Sequence, residues 1–135
     1  MANAAVVIDD LALAGSIGAS ASAVGMPAAN MLTPHVSTRW RSLSGTAWFV
    51  LDLGSAQSID SVMLAGLTCG TSSQLRVRLS LADSTAIDAS AGDSGTITSA
   101  SVALDIDLGL LVYLLGAPVS CRYIRIDLTD PDASY

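Results

Sequence analysis

Leu75-Arg76-Val77-Arg78-Leu79-Ser80-Leu81 is the stretch that decides the fold class. Its apolar residues recur at every second position. On a pleated strand, that period puts Leu75, Val77, Leu79 and Leu81 on one face and Arg76, Arg78 and Ser80 on the other. A helix, at about 3.6 residues per turn, would scatter the four apolar side chains around its axis. The segment therefore reads as a strand with one face on a core and the other in water.

The same reading extends in both directions. Upstream, Thr46-Ala47-Trp48-Phe49-Val50-Leu51-Asp52-Leu53 carries aromatic and β-branched residues and stops at Gly54. Phe49, Leu51 and Leu53 share one face, while Trp48, Val50 and Asp52 share the other. Gly54-Ser55-Ala56-Gln57-Ser58 is expected to be a turn, with a new strand over 59–67. Nearer the start, 4–8 is expected to be a strand, followed by turns and a short edge strand. Pro27 and Pro34 bracket a stretch too short for more than one helical turn. Downstream, 82–100 is rich in Ser, Thr, Asp and Gly, with its strongest turn signal at Gly92-Asp93-Ser94-Gly95. Residues 102–108 alternate again, placing Asp105 and Asp107 together on a polar face. Residues 110–115 fit either a buried strand or a helical turn. The last clear strand, 121–128, sets Arg122, Ile124, Ile126 and Leu128 against Tyr123, Arg125 and Asp127. There is no internal repeat and no linker, so residues 1–135 are expected to form one all-β sandwich domain.

Composition narrows the function classes. Hydrophobic residues make up 51% of the 135 and charged residues 13%, which excludes a disordered chain. Every acid is Asp and every base is Arg; the absence of Lys and Glu removes the residues that usually fill exposed helix faces. A net charge of −6 without a basic patch speaks against nucleic acid as a partner. The first ten residues have no basic region before their apolar run and do not read as a secretory signal. The longest apolar stretch, 108–119, is interrupted by Gly109, Gly116 and Pro118 and falls short of the ~20 residues a membrane helix needs. Cys69 and Cys121 read as small hydrophobes kept reduced.

Three ordered segments resemble the discoidin, or coagulation-factor type C, family. Ala29-Asn30-Met31-Leu32 with Ser37-Thr38-Arg39-Trp40-Arg41-Ser42 is similar to the family's loop, in which an Ala-Asn pair leads to a Thr-x-Trp turn. Trp48-Phe49-Val50-Leu51-Asp52-Leu53-Gly54, with Ile59 and Val62, resembles its Trp-x-x-x-Asp-Leu-Gly strand and the strand that follows. Arg122-Tyr123-Ile124-Arg125-Ile126 resembles its late Arg-Tyr-Ile-Arg strand. The resemblance spans residues 29–128 and implies a galactose-binding-like jelly-roll β-sandwich. The late strand followed by Asp130-Pro131 is also similar to modules of bacteriophage tails and gene-transfer particles, where an Asp-Pro turn leads into one further strand. On that comparison the sandwich lacks its last strand: either the chain is a fragment, or a neighbouring subunit supplies the strand by β-augmentation.

Candidate sites follow, each beside its plainer explanation. Asp52 and Arg125 lie in outward phases of two motif strands and are expected to form a structural salt bridge; no nucleophile or proton donor accompanies them. Asp105 and Asp107 have a spacing compatible with paired carboxylates, but acids on a β face are more often simply solvated. His35, Arg39, Trp40 and Arg41 form the main polar-aromatic group. The resemblance implies a ligand-binding loop at one end of the sandwich, where Trp and Arg can engage a saccharide, whereas Trp40 alone would serve equally well as a plug. Thr33-Pro34 stands where the family's calcium loop has Asp-Gly, and no metal site, cofactor or catalytic set is expected.

These features predict a non-enzymatic module of a phage-like virion tail, assembled in the host cytoplasm and docking in oligomeric form to other tail proteins. The alternative is a carbohydrate-binding module for a host surface glycan. Neither nucleic acid nor membrane insertion is expected.

Overall fold

The computed structural model describes residues 11–33 and 38–133. The strand expected over 4–8 and the candidate His35 lie outside the described residues. Among the described residues seven strands form one hydrogen-bonded system: β1 (Ser16–Ala19), β2 (Thr46–Ala65), β3 (Gln74–Ser80), β4 (Gly92–Asp93), β5 (Ile97–Thr98), β6 (Leu104–Asp105) and β7 (Leu110–Thr129). The order is β1-β2-β7-β3-β4, with β5 on β3 and β6 on β7, and every pairing is antiparallel. Short 3₁₀ turns at Leu11–Ala14 and Ala28–Leu32 are the helical segments among the described residues.

Two strands of 20 residues, β2 and β7, organise the sandwich. They run side by side and bend together. Their ladder is regular from Thr46↔Thr129 to Asp52↔Tyr123, shifts before Gln57↔Cys121, and shifts again between Ile59↔Val119 and Ser61↔Leu114. The first half of the pair lies in a layer with β1 and β3; the second half pairs with β6. Residues 54–58 are therefore not a reversal between two strands, as their Gly-Ser composition suggested, but an irregular passage inside β2. Gly54, at φ +82, absorbs the bend. Pro118 falls within the second register shift, where a strand can tolerate a residue that cannot donate.

Period two holds through the first layer as far as Leu79; β3 ends at Ser80, which is fully buried where the alternation put it in water, and Leu81, expected on the core, is 49% exposed beyond the strand. Ala47, Phe49 and Leu51 of β2, Leu75, Val77 and Leu79 of β3, and Ile124 and Ile126 of β7 are buried. All of these but Ala47 merge into one core with Val62, Leu104, Leu111 and Cys121, so both halves of the bent strand pair close on the same interior. Residues 110–115, ambiguous in the sequence, are strand. Residues 102–108 are mostly turn: only Leu104–Asp105 pairs, and Val102 is fully exposed. Their alternation did not reflect a buried face.

Candidate functional site

The loop end is built by the Asn-to-Trp segment. The side-chain amide of Asn30, at the second 3₁₀ turn, donates to the Arg39 carbonyl at 2.9 Å. The Thr33 hydroxyl donates to the Asn30 carbonyl at 3.1 Å, and the Thr33 and Thr38 hydroxyls bond each other. The Ala-Asn and Thr-x-Trp elements thus tie the two ends of the loop together.

Trp40 follows directly and faces inward. Its indole N–H is shared between the Ala21 carbonyl (3.0 Å) and the Ser22 hydroxyl (3.1 Å). Its ring meets Phe49 edge-on, with centroids 5.6 Å apart at 78°. Half-buried and packed on the core, Trp40 plugs the sandwich end. Arg39 and Arg41 flank it and are exposed, and both line the same hollow as Asn30 and Thr38. The backbone of Arg41 is held by the Met26 and Ala23 peptide groups, which leaves its side chain to project. Of the four sequence candidates, the structure brings Arg39, Trp40 and Arg41 together, with the two arginines outward and the indole inward.

The expected Asp52–Arg125 salt bridge is replaced by two others. Asp52 is bound by Arg122 through two bonds, Nε to Oδ1 at 2.8 Å and Nη2 to Oδ2 at 3.0 Å, and Oδ1 also accepts the Gly54 amide at 2.8 Å. These contacts pull the Asp52 carboxyl below the usual carboxylate range, the Arg122 bond being the largest influence. The register explains the exchange. Arg125 stands opposite Val50 and Tyr123 opposite Asp52, while the irregular passage after Asp52 brings Arg122 within reach. Arg125 bonds Asp127 Oδ1 at 2.9 Å and stacks on Trp48, its guanidinium 4.4 Å from the ring centroid. Arg78 reaches Asp127 Oδ2 from β3 at 2.6 Å, and Arg76 pairs with Asp93, whose carboxyl falls to about 2 mainly through that bond.

Asp105 and Asp107 are exposed, and Asp105 accepts the Leu108 amide at 2.9 Å to close a turn. Among the described residues no group of three or more His, Cys or Asp side chains could hold a metal ion, and no helix is long and apolar enough to cross a membrane. Cys69 and Cys121 are free thiols; burial pushes Cys121 up to about 11.

No family model and no curated protein matches the chain. Solved structures do. The family 32 carbohydrate-binding module of AlyQ, in complex with 4,5-unsaturated mannuronic acid, shares 26% identity at a TM-score of 0.59, covering 84% of this chain and 81% of that one. Chitosan-binding module 1 of a chitosanase/glucanase from Paenibacillus sp. IK-5 matches at 22% identity and TM-score 0.66, over 94% and 91% of the two chains. The family 32 module of C. perfringens NanJ, in complex with galactose, matches at 11% identity and TM-score 0.66, over 88% and 90%. The chain is a galactose-binding-like β-sandwich, the domain type of these modules.

Proposed function

We propose that this domain is a non-catalytic carbohydrate-binding module whose loop end recognises a glycan bearing carboxylate groups. The observation that carries this reading is the distribution of arginines. Arg76, Arg78, Arg122 and Arg125 are each bound to an aspartate. Arg41, exposed at the loop end, has no acid partner among the described residues, and the exposed Arg39 stands two positions before it. In a chain of net charge −6, two cations held side by side on a tied loop form a local site for planar anions, since guanidinium matches carboxylate through paired bonds. The uronic acid held by the AlyQ module supports the same ligand class. A non-catalytic role is supported by the state of the acids. Asp52, Asp93 and Asp127 are committed to arginine, and Asp83 to backbone amides. A glycan array spanning uronic-acid, amino-sugar and neutral polysaccharides tests this. Retention should be confined to the acidic set and fall with added salt; absence of binding across the array contradicts the reading.

A second reading, a module docked to neighbouring subunits of a phage-like tail, draws on exposed apolar side chains of the second sandwich half. Met63, Leu108 and Leu114 are 39%, 74% and 58% accessible. Copurification with assembled virion particles supports that setting, and recovery only as free protein opposes it.

A further inference from the structure

The outer face of the β1-β2-β7-β3 layer carries a cleft that the loop end does not use. It has a volume of about 430 Å³ and lies between this face and the loop 83–88, lined by Gly18, Trp48, Val50, Thr85, Ile87 and Tyr123. That volume falls within the roughly 300–1,000 Å³ of small-molecule sites.

Both walls are set before any ligand arrives. On the sheet side, Arg125 points to the solvent face yet is only 8% exposed. It is fixed on Trp48, on Asp127, and on the Thr85 carbonyl at 3.4 Å. On the loop side, the Asp83 carboxylate accepts the amides of Thr85 (2.8 Å), Ile87 (3.0 Å) and Asp88 (3.1 Å), and Ala86 sits fully buried at φ +51. The same loop holds Ile87, 57% exposed, over the cleft.

The chemistry of the lining is specific. Trp48 and Tyr123, each with a guanidinium over its ring, and two aliphatic side chains supply apolar surface, while Ser84 and Thr85 supply hydrogen-bonding groups. The arginines at the cleft are all bound to aspartate: Arg122 to Asp52, and Arg125 together with Arg78 to Asp127. A cleft that is aromatic and hydrogen-bonding, with its arginines already bound, suits a molecule with an apolar ring face and a rim of hydroxyls. We infer that this cleft is a second saccharide site, one that takes a neutral sugar. It shares the carbohydrate reading with the loop end but none of its residues. Trp40 packs on Phe49 on the core side of β2, whereas Trp48 faces the opposite side of the same strand.

Amide and indole NMR titration of the whole chain tests this, with lactose, cellobiose and chitobiose as neutral probes and a galacturonate trisaccharide as the acidic one. At least one neutral probe should shift the Trp48 indole and the amides of Gly18, Thr85, Ile87 and Tyr123, leaving the Trp40 indole in place. Gly18 provides the blocking variant. A Cβ at this position meets nothing within 4 Å, so Gly18→Leu fills the cleft without straining the fold. It should weaken the neutral sugar at least tenfold while leaving any uronate shifts at Arg39 and Arg41 unchanged. No shift at the cleft with any neutral probe, or undiminished binding in Gly18→Leu, overturns the inference. Neutral-sugar shifts without a uronate response would instead remove the loop-end reading and leave the cleft standing.

Discussion

At the residue scale, the two late motifs explain each other once their partners are known. The Asp of Asp-Leu-Gly is the acceptor for the first Arg of Arg-Tyr-Ile-Arg, and the second Arg turns to Asp127 and Trp48. The sequence showed Asp52 and Arg125 in outward phase and set Arg122 in phase with Ile124 and Ile126. It did not show which arginine the bend would deliver, because alternation is counted along one strand and a register shift is a property of two. Asp127 is the residue on which most depends, since both Arg78 and Arg125 lean on it and both guanidinium groups are largely shielded. Removing it leaves two poorly solvated cations unpaired. Asp127→Ala should therefore cost about 3 kcal/mol or more, read from urea unfolding. Double substitution with Arg125→Met should recover part of that loss. A cost below about 1 kcal/mol would mean that the cluster is solvent-screened.

At the element scale, what the sequence made legible was the face of each strand. β3 up to Leu79 and the first half of β2 are placed as their period-two pattern requires, and the ambiguous 110–115 segment is strand because it continues β7. Less legible was continuity. Gly, Ser and Gln at 54–58 are turn residues by composition, yet the ladder resumes at Gln57↔Cys121 because β7 is irregular at the same level. The 102–108 segment erred the other way, since a good alternation found no layer to face. Glycines sharpen the point. Gly109 is buried at φ +62, and a Cβ there would lie 2.4 Å from the Leu67 carbonyl oxygen, part of the contact that joins the start of β7 to the segment after β2. Gly109→Ala should destabilise the fold by about 2 kcal/mol or more by thermal denaturation. Gly18→Ala, in open space on a strand, should be neutral or slightly stabilising; equal effects at the two sites would refute this assignment of roles.

At the scale of the whole molecule, the all-Asp, all-Arg composition becomes a mechanical feature: among the described residues four ion pairs brace the outer face, and two exposed arginines, Arg39 and Arg41, stand at the loop end. Asp52, Asp83 and Asp93 all have folded-state values below the ordinary 3.8, with Asp83 and Asp93 at about 2. A lowered folded value means that each contributes stability above the unfolded value and loses it as pH falls through the folded one. The urea midpoint should therefore stay flat from about pH 7 to 5 and decline between about pH 4 and 2. A midpoint constant down to pH 2 would contradict the ion-pair account. Of the candidate site, the sequence exposed the Arg-Trp-Arg cluster but not its division of labour, because which way an indole turns depends on Phe49 and on the carbonyl of Ala21.

The central claim is that Arg39 and Arg41 receive an acidic saccharide. Isothermal titration of a galacturonate trisaccharide into the wild-type domain and into Arg39→Gln with Arg41→Gln tests it most directly, with folding of the variant checked by circular dichroism. The account predicts saturable binding to the wild type that weakens at least tenfold in the folded double variant. Binding of equal strength to both proteins, or to neither, would contradict it.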